Sequence, residues 1–221
     1  MRNKIRTQVL TQPLTPDQNL VKPGELAARI QLIVCRRDGV VRQQFQKLSE
    51  SYVRQFLELL WVQMNGALFY QYITDTSGIP QVIGLDSDDN IAFAANAAAG
   101  STAFGIVVGS GNTPPMITDY ALQSKIAHGV SAGQLQYGGV TYGAPSSDAT
   151  TSQFTITRNF ANASGDAITI NEIGLYVKAK TNTDRSPFTR YLMTIRDVIG
   201  GGIAVPNGET LTVNYRPLCV V

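Results

Sequence analysis

The sequence is short of the groups on which most enzyme chemistry depends. It holds one histidine, His128, and two cysteines, Cys35 and Cys219, in 221 residues. A nucleophile–histidine pair needs a base oriented by a third group. Nothing in the flanking KIAHGVSAG supplies one, so His128 reads as a loop residue. Two cysteines so far apart have neither metal-ligand nor redox spacing, and they read as two buried free thiols in a reducing cytosol. Charge is sparse too, at 15% Asp, Glu, Lys and Arg, against about 25% in an average domain. A chain with so few charges and many Ala, Gly, Ser and Thr is suited to having its surface covered by neighbours. There is no run of about 18 apolar residues, which argues against a membrane span. The opening MRNKIRTQVLTQPLTPDQ has no apolar core segment and does not read as a signal peptide.

What charge there is lies unevenly. Residues 1–47 carry nine Lys or Arg against three acids, and the remainder carries nine against thirteen. The basic part suits the acidic part of a second copy, another acidic partner, nucleic acid, or simply solvent. No aromatic residues are interleaved with the basic ones and no recognition motif appears, so contact with packaged DNA would require the N-terminal arm to line a channel. That arm, residues 1–25, is polar, basic and spaced by Pro13, Pro16 and Pro23. Proline fixes φ and removes a donor, which makes the segment extended or irregular. A neighbouring subunit is a natural surface for it to lie on.

Residues 26–45, LAARIQLIVCRRDGVVRQQF, alternate and then turn at Asp38-Gly39. This pattern predicts a hairpin with strands over about 27–36 and 40–46. The period then changes. Val53, Phe56, Leu57, Leu60 and Met64 follow helical spacing after a possible cap in Ser49-Glu50-Ser51, which predicts a long helix over 50–65. Trp61 widens its apolar face. ALFYQYITDT and GIPQVIGL are strand candidates, the Ala-rich run 91–104 reads as strand and loop, and 104–108 as a short buried strand. The Gly- and Tyr-rich stretch 129–143 reads as two short strands or an exposed ribbon. The closing part, 153–221, is a succession of β-patterned runs with turns such as Pro206-Asn207-Gly208, read as a self-packed sheet module.

Other patterns in the chain fall short of a site for chemistry. Gly105, Gly109 and Gly111 lack the continuation of a phosphate-binding loop. Asp86, Asp88 and Asn90 begin like a calcium loop, but Ile91 and Ala97 stand where glycine and a bidentate acid are needed. Glu172 is a lone acid in a strand pattern, read as the partner of an arginine such as Arg158 or Arg196; Asp197 is read the same way. A hydrolase centred on Glu172 or His128 is the enzymatic alternative. A receptor- or carbohydrate-binding module using Tyr137 and Tyr142 as a platform is the other.

FTITRNFANASGDAITINEIGLY, RDVIGGGIAVPNGETLTVNY, GIVVGSGNTPPMITDYALQSKI and SESYVRQFLELLWVQMNG together resemble virion structural proteins of tailed bacteriophages, over residues 26–221. The resemblance implies a non-enzymatic homo-oligomer of the neck or tail. Capsid decoration (cement) is the alternative place. It implies no catalytic residue, metal or cofactor; the partners would be other copies and other virion proteins. The chain would work in the virion after assembly in the host cytoplasm. Expected subunit contacts are Pro13, Pro16 and Pro23 on the arm, Arg36 and Arg37 at the hairpin, and Phe56, Leu60 and Trp61 on the helix. The fold expected is mainly β: a sandwich or jelly-roll-like module of about eight to ten short strands, with the helix packed on it, forming one domain over 26–221.

Overall fold

The computed structural model describes residue 21 and residues 26–49, 51–65, 71–83, 93–180 and 188–221. The N-terminal arm with its three prolines lies outside them, apart from Val21, as do Asp86, Asp88 and Asn90. The fold is mainly β. Its strands are β1 (Leu26–Cys35), β2 (Val41–Ser49), β3 (Gln71–Thr74), β4 (Pro80–Ile83), β5 (Gly105–Gly109), β6 (Gln136–Tyr142), β7 (Ser146–Ser147), β8 (Thr151–Gln153), β9 (Ile156–Ala161), β10 (Ile168–Lys180), β11 (Thr189–Val205) and β12 (Thr210–Val220); the helix α1 spans Arg54–Asn65. Among the described residues all strand pairs are antiparallel.

The larger sheet runs β2-β1-β12. Beyond β12 it continues as β9 and β6 along one half and as β8 and β7 along the other. The second sheet is β11-β10-β5, and β3-β4 form a separate hairpin. Alternation builds the first layer: Ala28, Ile30, Leu32 and Val34 point inward beside Leu211, Val213 and Tyr215, all buried. They share one apolar core with Ile106, Val108, Ile173 and Ile195 of the other sheet. Each Val, Leu or Ile among them contributes about 1.5–3 kcal/mol when fully buried. The Asp38-Gly39 turn forms as its chemistry predicts. Gly39 takes φ +80° and donates to the Arg36 carbonyl at 3.0 Å, while Asp38 Oδ1 accepts from the Val40 amide at 3.1 Å.

Three expectations need correction. The helix is short, 12 residues rather than 50–65. Ser49 and Tyr52 are taken by the sheets instead: Ser49 ends β2, and Tyr52 bridges to Ile195, with the Val53 amide donating to the Thr194 carbonyl at 3.1 Å. Pairing backbone with β11 outcompetes a helical turn there. Second, the closing strands do not form a module of their own. β12 sits between β1 and β9, whereas β10 sits between β11 and β5, so strands from early in the chain complete both sheets. Third, the thiols are free but not buried: Cys35 is half-exposed and Cys219 exposed. The β1–β12 register places Cys35 opposite Thr210 and Cys219 opposite Leu26, at the two ends of the ladder. That is about nine residues, or roughly 30 Å, apart, far beyond disulfide reach.

A buried carboxylate ties the sheets together. Asp197 Oδ2 on β11 accepts from Ser49 Oγ at 2.8 Å and Tyr215 Oη at 3.0 Å, and Lys47 Nζ lies 3.3 Å from Oδ1. Burial pushes its carboxyl above the ordinary 3.8, opposed by Lys47; burial and Asp197 together push Tyr215 up. The folded state therefore holds the proton more tightly than the unfolded chain. Asp197's contribution is complete below pH 3.8 and is lost as pH rises toward the raised value. Asparagine imitates the protonated form, so Asp197→Asn should gain stability relative to wild type as pH rises from 3.8. Urea unfolding across that range reads the difference, and a difference independent of pH would refute the shift.

Candidate functional site

The site is best built from Glu172, the acid that sequence reading paired with an arginine. It lies on β10, the middle strand of its sheet, and is fully buried. Oε1 accepts the amides of Gly111 at 3.1 Å and Ser124 at 2.7 Å; Oε2 accepts the Gln123 amide at 3.0 Å and Arg196 Nε at 3.0 Å. Of the two arginines expected, Arg196 is the partner. A carboxylate so fully engaged is a structural clamp, with no free lone pair aimed at a substrate. A Cβ on Gly111 would stand 2.5 Å from Oε1, so glycine is what lets the loop come this close.

Arg196 carries the clamp outward. Its Nη1 donates to Asp119 Oδ2 at 2.8 Å and its Nη2 to the Thr113 carbonyl at 3.1 Å. Gln123 Oε1 accepts the amides of Asn112 at 3.0 Å and Thr113 at 3.1 Å, and Tyr176 Oη accepts the Leu122 amide at 2.6 Å. Burial holds the Tyr176 hydroxyl far above its ordinary value and so in its neutral form. Residues 110–124 are thus an irregular segment fixed to the sheet by buried polar groups.

This segment presents apolar side chains to solvent. Met116 and Ile117 are each 62% exposed, and Tyr120 is exposed as well. It adjoins the helix, where the Arg54 amide donates to the Ile117 carbonyl at 3.0 Å, and the β3–β4 hairpin, where the Tyr120 ring covers Gly78. Arg54 Nη2 in turn reaches Thr74 Oγ1 at 3.0 Å. Tyr72 and Ile79 of the hairpin and Leu57 of the helix are more than half exposed. Six exposed large apolar side chains thus lie on three segments that touch one another, and a cluster of exposed apolar side chains is a mark of an interaction surface.

The expected contact residues fall in different places. Leu60 and Trp61 face outward on α1, beside Leu57. Phe56 is half-buried, tilted against Tyr52 at 4.5 Å and edge-on to Phe93 at 6.0 Å between ring centres. Arg36 and Arg37 are exposed at the β1–β2 tip, and Arg37 Nε donates to the Gly208 carbonyl at 3.3 Å. Sequence reading missed Met116, Ile117, Tyr120, Tyr72 and Ile79. The one signal for them was the pair Gly109 and Gly111, whose need for close approach implies a loop folded down on a buried group.

The alternative sites lose their geometry. Tyr137 is 2% exposed, with its hydroxyl donating to the Ile126 carbonyl at 2.7 Å, so the proposed tyrosine platform is half core. Tyr142 remains exposed. Burial is the larger influence on the Tyr137 hydroxyl and raises its pKa. His128 Nδ1 accepts the Tyr137 amide at 3.0 Å, so this nitrogen is not free to act as a base. Among the described residues, no group of three or more His, Cys, Asp or Glu is placed to hold a metal ion, and no helix is long and apolar enough to cross a membrane. Comparison with protein-family models, with curated proteins and with solved structures gave no match.

Proposed function

We propose that the protein is a non-enzymatic structural component of a tailed-phage particle, assembling with copies of itself in the neck or tail. The observation that carries the assembly part is the mounted apolar surface. Residues 110–124 are fixed by Glu172 and Arg196, and their tip touches α1 and the β3–β4 hairpin, which expose apolar side chains of their own. Fixing an interface segment in advance reduces the ordering entropy lost on association. The low charge content supports the same reading, and the particle type rests on the resemblance of phrases such as NEIGLY and VPNGETLTV to those of phage structural proteins.

The mass of the purified protein, with negative-stain images, tests this. A ring is expected for a neck or tail component; a trimer would move the assignment to capsid decoration. A monomer at high concentration would sink the reading. Met116→Asp with Ile117→Asp should shift the oligomer toward monomer by at least tenfold in dissociation constant, since each charge would have to be buried unpaired. Both side chains are solvent-facing in the subunit, so its unfolding curve should stay put.

A further inference from the structure

A second apolar feature adjoins that surface, and Tyr52 lines both it and the hollow beside Met116 and Ile117. Between the two sheets opens a cleft of about 310 Å³, lined by Phe56, Phe93, Tyr142, Phe154, Leu175 and Pro217 among others. Its lining is overwhelmingly apolar, and Phe154 and Tyr142 are exposed at it. The volume is at the low end of ligand sites, which run from roughly 300 to 1,000 Å³. It suits a few side chains of an extended segment.

Aromatic-lined grooves of this kind take proline-spaced segments, because a polyproline II chain is already extended and loses little entropy on docking. The chain itself contains such a segment outside the described residues: Val9-Leu10-Thr11-Gln12-Pro13-Leu14-Thr15-Pro16, with a Pro-x-x-Pro core. Its position relative to the fold is constrained by Val21. Val21 is buried and shares a depression with Arg29, Leu218 and Val220. Arg29 alternates with the inward-facing Ala28 and Ile30, so this is the outer face of the larger sheet. The cleft opens on the inner face. To enter the cleft of its own subunit, the chain would have to reverse around the sheet within the four residues between Pro16 and Val21. The twenty residues before Val21 span about 60 Å when extended. The expected radius of gyration of the domain is about 17 Å. A neighbour is within reach.

We propose that the cleft receives the Leu10–Pro16 segment of a second copy, with Pro13, Leu14 and Pro16 seated among Phe56, Tyr142 and Phe154. This rests on the assembly reading and adds to it a specific strap and its seat. Its seat residues Phe56, Tyr142 and Phe154 differ from those of the adjoining Met116–Ile117 region, so each subunit would be held through two sets of side chains.

The test uses full-length chains in which Cys35→Ser and Cys219→Ser remove the native thiols. One preparation carries Leu14→Cys alone and the other Phe154→Cys alone. Mixed and mildly oxidised, they should give a covalent dimer of twice the subunit mass, and Pro13→Gly with Pro16→Gly should lower its yield several-fold. Tyr142→Cys provides a second seat should Phe154→Cys fold poorly. A third chain carrying both Leu14→Cys and Phe154→Cys reports docking within one subunit. A bond found only inside that monomer overturns the proposal. So does the absence of any bond while both thiols react with a small reagent. The mass of the unoxidised mixture is measured alongside. An oligomer there that gives no cross-link on oxidation removes the strap and leaves the assembly reading standing, whereas a monomer removes both.

Discussion

Replacing Arg158 by methionine should cost about 4 kcal/mol or more of folding stability, an effect at the far end of what single substitutions do. Arg158 projects inward from β9 and is fully buried. Its described hydrogen bonds all go to main-chain carbonyls: Nε to Gly138 at 2.8 Å, Nη1 to Phe104 at 3.1 Å and Ile106 at 2.8 Å, Nη2 to Ala98 at 3.2 Å and Ser101 at 2.6 Å. The guanidinium lies 4.9 Å from the centre of the Tyr137 ring. One side chain thereby joins β6, β5 and the 98–104 segment to β9. Burial lowers its pKa to about 10, so it is still charged at neutral pH. Methionine would fill much of the volume and withdraw the donor from five carbonyls, of which Ala98 alone has a described replacement, the Ser101 amide at 3.2 Å; each one left unsatisfied costs about 1–3 kcal/mol before relaxation. Lysine keeps the charge but offers three donors from one point, and should recover only part of the loss. Urea unfolding of the two variants gives the comparison. A loss below about 1 kcal/mol for methionine would mean that water replaces the arginine without difficulty.

Local chemistry made the framework readable. Alternation in Ile30, Leu32 and Val34, the Asp38-Gly39 turn and the Pro206–Gly208 turn each depend on neighbours in sequence, and each formed as expected. Strand partners did not announce themselves. Nothing in TLTVNYRPLCV states that it pairs with residues 26–35 on one side and 156–161 on the other, because pairing is decided by contacts between residues far apart in the chain. The helix start was misread for a related reason. Ser49 and Tyr52 have a local preference for a cap and a helical turn, and distant strands outbid it. Tyr137 was misjudged because aromatic residues among glycines look alike whether they face a partner or the core.

The candidate site was legible only through its charges. Glu172 in a β-pattern demanded a cation, and Arg196 proved to be it. The apolar tip that the pair supports could not be read. Met116, Ile117 and Tyr120 follow no period, and their exposure depends on a loop whose path is set by hydrogen bonds to residues 48 to 83 positions away.

That dependence sets the second large effect. Arg196→Met should cost about 3–5 kcal/mol, the usual consequence of leaving one member of a buried ion pair alone. Glu172 would keep the amides of Gly111, Gln123 and Ser124 but lose its charged partner, and Asp119 would lose the same one. Glu172→Gln should also destabilise. One amide oxygen cannot serve every donor now facing the carboxylate, and the new NH2 would oppose a donor. Changing both residues to methionine removes the charges together, so the double variant should lose less than the sum of the two single methionine variants, and the shortfall measures the coupling. Hydrogen exchange locates the damage: the Gly111, Gln123 and Ser124 amides should exchange faster in Arg196→Met, while amides of β1 and β12 change only as far as global stability falls. If the apolar tip is an assembly surface, the same variant should oligomerise more weakly under conditions where it remains folded. Unchanged exchange at those three amides would show that the loop keeps its path without the clamp, and the link from Glu172 to the exposed surface would be broken.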